Sequence, residues 1–182
     1  MKKFVAIFLA IIMVISIAGC SGQKQPTDST DDREGNNQSI EPSTEDIEKE
    51  ATLYFANRKY VETGDESQEK LIAEKRMIRY DDISIEEAIV KELMKGTENP
   101  ELVTEIPGTA ELIDVKTTEG IAYVNFAREG MYGGSLQEGF TIDQIVTSLL
   151  ELDNVEAVQF LIDSEKEESL MGHIVISEPF KK

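Results

Sequence analysis

The chain has 182 residues, with 36 acids against 18 lysines and arginines, a formal charge of −18, one histidine and one cysteine. That length suits one domain with appendages, and a lone Cys20 rules out an intramolecular disulfide. The charge disfavours nucleic acid, anionic lipid headgroups and polyanionic wall polymers as partners, since each would approach against a like-signed field.

Lys2 and Lys3 form a positive n-region, and Phe4 to Ile17 is an apolar run of signal-peptide length. The first twenty residues hold those two lysines and no acid, so the remainder of the chain carries −20. Ile17-Ala18-Gly19-Cys20 resembles the bacterial lipobox, which implies cleavage before Cys20 and a diacylglycerol on its thiol. Two acyl chains anchor a protein stably where one would be reversible. An uncleaved transmembrane anchor is the alternative, and Phe4 to Cys20 lies at the short end of what spans a bilayer. Both readings place the rest of the chain outside the cytoplasm, on the cell membrane, because Lys2 and Lys3 hold the short end inside.

Ser21 to Glu50 reads as an acidic linker with Ile40 and Ile47 as its only apolar residues, too few to offset the entropy of ordering. Flexible chain of this length has an r.m.s. reach of roughly 30 Å and a limit of about 100 Å. Within it, residues 43–50 read equally as a weak helix or as more linker.

The folded module is expected over Ala51 to Lys182. Thr52 to Ala56 reads as a strand, Arg58 to Glu69 as a polar excursion around Gly64, and Lys75 to Tyr80 as a short edge strand. Ser84 with Glu87 makes a capping box for a helix whose apolar face is Ile85, Ala88, Ile89 and Leu93, closed by Gly96. After a loop through Pro100 and Pro107-Gly108, Leu112 to Thr117 and Ile121 to Phe126 form a hairpin, with Gly120 left-handed in its turn. Arg128 to Gly139 reads as a mobile glycine-rich loop. Thr141 and Gln144 then match a capping box for a helix running to Leu150, and Phe140 before it reads either as a partner contact on the loop or as the hydrophobic staple of that helix. A strand follows around Val158 to Ile162, then a polar break, then a last strand, His173 to Ile176. This order predicts an α+β fold: a small mixed sheet with two helices on one face.

Residues 51 to 180 resemble the GerMN domain of sporulation and spore germination proteins. The resemblance rests on Leu53-Tyr54-Phe55, Leu93-Met94-Lys95-Gly96, Ile106-Pro107-Gly108-Thr109, Gly120 to Phe126, Thr141 to Leu150, and Gly172-His173-Ile174. Two departures concern turns: Thr97 where a proline usually follows the helix glycine, and Ser164 where a glycine usually follows Asp163. The resemblance implies a βαββαβ-like fold similar to ring-building modules, and a role as a protein interaction or scaffold domain in envelope assemblies, with envelope proteins or further copies as partners.

The residues themselves assign no catalytic, cofactor or metal site. His173 lacks a nucleophile signature beside it. Glu165, Glu167 and Glu168 lack calcium-loop spacing, and the glycines from Gly130 to Gly139 do not follow a strand in phosphate-cradling order. Met131, Tyr132 and Leu136, apolar residues carried on that loop, are the candidate partner contact. The scaffold reading competes with a lipoprotein that binds wall glycan or a small solute, which calls for a deep aromatic pocket. It also competes with a wall hydrolase, which calls for two converging carboxylates or a base and nucleophile.

Overall fold

The computed structural model describes residues 47–182. Residues 1–46, with Cys20 and the stretches read above as signal segment and linker, lie outside the described residues. Within them, strand β1 (Glu48–Asn57) begins earlier than the expected domain start. Glu48 to Glu50 are therefore strand and not linker or helix, because they pair antiparallel with β2 (Leu71–Arg79). β2 is likewise longer than the edge strand expected from residue 75. Leu53 and Phe55 of β1 are fully buried. The chain between these strands turns through a short helix, α1 (Arg58–Thr63), which Asn57 caps through the Lys59 N–H and Gly64 ends at φ 65°.

Helix α2 (Ile85–Lys95) has the ends that its sequence specifies. Ser84 Oγ accepts the Glu87 N–H at 3.1 Å, and Gly96 follows at φ 84°. β3 (Leu102–Val103), inside the stretch expected as loop, adds two residues to β1 and completes a sheet of order β2-β1-β3.

The second sheet has the order β4-β5-β6-β7. β4 (Leu112–Thr118) and β5 (Ile121–Phe126) form the expected hairpin, with Glu119 and Gly120 at φ 51° and 77° as a two-residue turn that matches strand twist. β6 (Ala157–Ile162) is parallel to β5, and the crossover such a pair requires is α3 (Ser135–Leu149). The last strand is β7 (Phe180–Lys181), not His173–Ile176: Phe180 pairs with Val158 and sets its ring edge-on to Phe160. Residues 173–176 serve as a strap instead, tied down where the Ile176 N–H reaches Glu168 O and Gln159 Nε2 reaches Ile176 O.

The α+β class is as expected, with the strands shared between two sheets. A side chain of α3 and the N-cap side chain of α2 reach backbone groups of β1 and β4. Tyr54 N–H, on the β3 side of β1, donates to Ser148 Oγ of α3, and Ser84 Oγ lies at 3.5 Å from Val115 O of β4. Helix α2 packs on β1, β2 and β4, and α3 on β1 and β6. Phe55, Ile89, Leu93, Val124, Ile145 and Phe160 thus share one core.

Ser164 sits at φ 69° beside Asp163 at φ 51°, backbone that favours glycine. Buried Asn125 compensates: its Oδ1 accepts the Ser164 N–H, and its Nδ2 donates to Ser164 Oγ. At the other departure, Thr97 Oγ1 donates to Glu74 Oε2 and accepts the Asn99 N–H, holding the turn without a proline.

Candidate interaction surface

Helix α3 starts at Ser135 with Gly134 as N-cap and no side-chain cap, six residues before Thr141. The capping-box reading of Thr141 and Gln144 is thus corrected. Both side chains are buried and act in tertiary contacts: Thr141 Oγ1 donates to Glu105 O at 2.9 Å, and Gln144 Oε1 accepts the Glu105 N–H at 2.8 Å. Gln137 Nε2 also donates to Glu105 O. One face of α3 therefore grips both backbone groups of the residue before Ile106-Pro107-Gly108. Phe140 is neither staple nor partner contact; it is buried, with the Tyr60 ring edge-on at 5.9 Å.

The loop before α3 is pinned. Thr109 Oγ1 donates to Gly130 O, and a Cβ on Gly130, at φ 84°, would stand 1.9 Å from Thr109 O. This approach buries Met131, which is 6% exposed and belongs to the core. Its assignment as a partner contact is overturned, because the pinned loop turns it inward. Tyr132 and Leu136 face solvent, at 65% and 56% exposure.

The strap returns to the same place. Glu138 is fully buried, and its carboxylate accepts the N–H groups of Leu170, Met171 and His173 at 2.8 to 3.0 Å. The His173 ring lies against Gly133 O, with Nε2 at 3.1 Å. Held this way, the strap exposes Val175 (64%) and keeps Ile174 half-buried. Between α1 and α3 lies an indentation of about 110 Å³, lined among others by Tyr60, Lys70, Leu136, Gly139, Phe140 and Asp143. Desolvation by these neighbours holds the Asp143 carboxyl above its ordinary range, against the opposing charge of Lys70. Burial likewise raises Glu105, opposed by Arg58.

The result is a surface of exposed apolar side chains on a frame of buried polar bonds. Glu167, one of the three clustered acids, pairs with Arg128 at 2.6 Å. Among the described residues no group of three or more His, Cys, Asp or Glu side chains is placed to hold a metal ion. Sequence reasoning missed Glu138, the Tyr60–Phe140 pair and Val175. The alternation of residues 173–176 reads as a strand and so hides Val175, and a single glutamate near three glycines carries no pattern.

The profile of the family Germane, described as sporulation and spore germination, matches residues 52–168. The chain belongs to the Germane family. Two solved structures share the Germane fold seen here. The tandem GerMN domains of the sporulation protein GerM from Bacillus subtilis are 17% identical, with 81% of this chain and 49% of that one covered and a TM-score of 0.57. The first GerMN domain of the same protein is 13% identical, with 74% and 98% covered and a TM-score of 0.59. A lipoprotein candidate from Clostridium perfringens is 21% identical over 75% of this chain and 91% of its own, at a TM-score of 0.47. No curated protein matches the chain.

Proposed function

We propose that this Germane-family chain is a membrane-anchored, extracytoplasmic lipoprotein whose folded module docks a protein partner in an envelope assembly that serves sporulation or germination. The observation that carries the docking role is the exposure of Tyr132, Leu136 and Val175 on segments fixed by Glu138 and Gly130. Large apolar side chains held rigidly in water favour a partner, because little ordering entropy remains to be lost on binding. The anchor rests on Ile17-Ala18-Gly19-Cys20 behind a signal core, and the process on the family description. A solute-binding reading draws less support: the indentation with aromatic lining, about 110 Å³, is below the roughly 300 Å³ at which ligand pockets begin, and the larger hollows, of about 470 to 640 Å³, have no aromatic side chain in their lining.

The test is in-cell crosslinking of the tagged full chain, followed by mass spectrometry of solubilised membranes. Specific crosslinks to one or a few envelope proteins, lost in Leu136→Asp and Tyr132→Ser, are the expected result. Retention of the same crosslinks in both variants would move the contact elsewhere. Recovery of glycan fragments alone would replace the reading. Metabolic labelling with a radioactive fatty acid should mark the full chain and not Cys20→Ser; equal labelling of the two, or of neither, would refute lipid anchoring at Cys20.

A further inference from the structure

β2 lies at the edge of its sheet, and its outer side is long and open. Asn57 and Tyr80 N–H groups bond across the β1–β2 pair to Lys70 O and Ile47 O, whereas Tyr54 N–H points away to Ser148 Oγ. Antiparallel ladders alternate, so the backbone N–H and C=O groups of Ala73, Lys75 and Met77 are turned outward. Among the described residues nothing bonds to them. Nine residues of open strand form a template for another strand unless something blunts it.

The pattern on this strand selects what fits. On the face shared with the helices β2 reads Ile72-x-Glu74-x-Arg76-x-Ile78: apolar, acid, base, apolar. That order is its own antiparallel complement, with Lys75 at the centre. We propose that two copies of this chain pair through their β2 edges about a two-fold axis at Lys75, joining two three-stranded sheets into one of six strands. In this register Ile72 meets Ile78 of the other copy, Glu74 meets its Arg76, and Ala73 meets its Met77. A shift by one residue would turn the outward backbone groups away from each other.

The surroundings accommodate this. Glu74 and Arg76 bond each other at 2.6 Å and line a hollow of about 470 Å³ with Glu92, Lys95 and Thr97, leaving space beside the edge for incoming side chains. Ile72 is half-buried and Met77 exposed, so both have area left to cover. The opposing feature is Lys75 facing Lys75. Glu50 lies 2.9 Å from the Lys75 Nζ within each copy, and repulsion between such exposed, paired charges is small.

Cysteine crosslinking of the full chain in membranes tests the register. Directly opposed residues of a hydrogen-bonded pair have Cα atoms about 5.5 Å apart, within disulfide reach. Lys75→Cys should therefore form a disulfide-linked homodimer under copper phenanthroline. Ala73→Cys, whose copies would be separated by roughly 15 Å, should form about tenfold less, and the unsubstituted chain, whose one thiol the proposed lipid would cap, sets the background. Mixing Ala73→Cys with Met77→Cys chains should yield a heterodimer that neither forms alone. Equal crosslinking of Lys75→Cys and Ala73→Cys, no dimer above background, or a link from residue 75 to a different protein would each overturn the proposal. None of these outcomes depends on the α3 surface, so the docking reading stands or falls separately.

Discussion

Glu138 is the residue on which the strap depends, and Glu138→Gln isolates its contribution with almost no change in shape. The native carboxylate meets three N–H donors, Oε1 taking those of Leu170 and Met171 and Oε2 that of His173. A glutamine amide can keep its oxygen toward the first two, and then its NH2 group faces the His173 N–H, donor against donor. The substitution removes one charge-assisted bond, worth roughly 1.5 to 3 kcal/mol, weakens two more, and leaves a donor without an acceptor. A cost of about 3 kcal/mol follows, corresponding to a fall in Tm of about 10 °C for a module of this size. Thermal unfolding followed by circular dichroism measures it. Amide exchange locates it, with Leu170, Met171 and His173 losing protection before the β5–β6 pair does. A Glu138→Gln chain with wild-type Tm and unchanged protection at those three amides would refute the assigned role.

Gly130→Ala should destabilise by about 3 kcal/mol or more, since the new Cβ would stand 1.9 Å from Thr109 O at φ 84°; urea unfolding that matches wild type would contradict this packing. Gly139→Ala should do the opposite, gaining about 0.5 to 1 kcal/mol, because the residue is inside α3 and its Cβ would meet Ile174 Cδ1 at an ordinary 3.5 Å; a lowered Tm would show that the backbone there is not plain helix. Burial raises the Glu105 carboxyl, with Arg58 opposing, so the folded state holds that proton more tightly than the unfolded one. Its contribution is favourable below the unfolded value of about 4.3 and is lost as pH rises through the raised folded value. Glu105→Gln should therefore exceed wild type in Tm at pH 7 and lose that advantage in acid; a gain present equally at both pH values would point to another cause.

Local chemistry made α2 and the β4–β5 hairpin legible. Ser84, Glu87 and Gly96 act within one turn of their helix ends, and Glu119-Gly120 acts on the two strands it joins. The family resemblance drew on pieces whose burial the fold explains: Leu53 and Phe55 in β1, Ile106 beside the Glu105 clasp, and the alternating core face of β5. Tyr132 and Leu136 were readable as apolar residues on a glycine-rich stretch, and they are exposed.

The same signals misled wherever distant partners decide. Gly133, Gly134 and Gly139 lower helix propensity, and Thr141 with Gln144 imitates a cap. Tertiary bonds to Glu105 and to the strap nevertheless extend α3 back to Ser135. Met131 looks like an exposed loop residue until Thr109, twenty-one positions earlier than Gly130, pins the backbone and turns it inward. The alternation in residues 173–176 is that of a strand, yet Glu138 and Gln159 claim the backbone groups a strand would need, and Phe180 takes the place beside β6. By itself the sequence determined the caps of α2, the hairpin turn and the strands that form the core, because those depend on residues within a few positions of one another. Only the tertiary structure decided where α3 begins, which apolar residues face water, and that the strands divide between two sheets, because each of these turns on hydrogen bonds and close contacts between segments far apart in the chain.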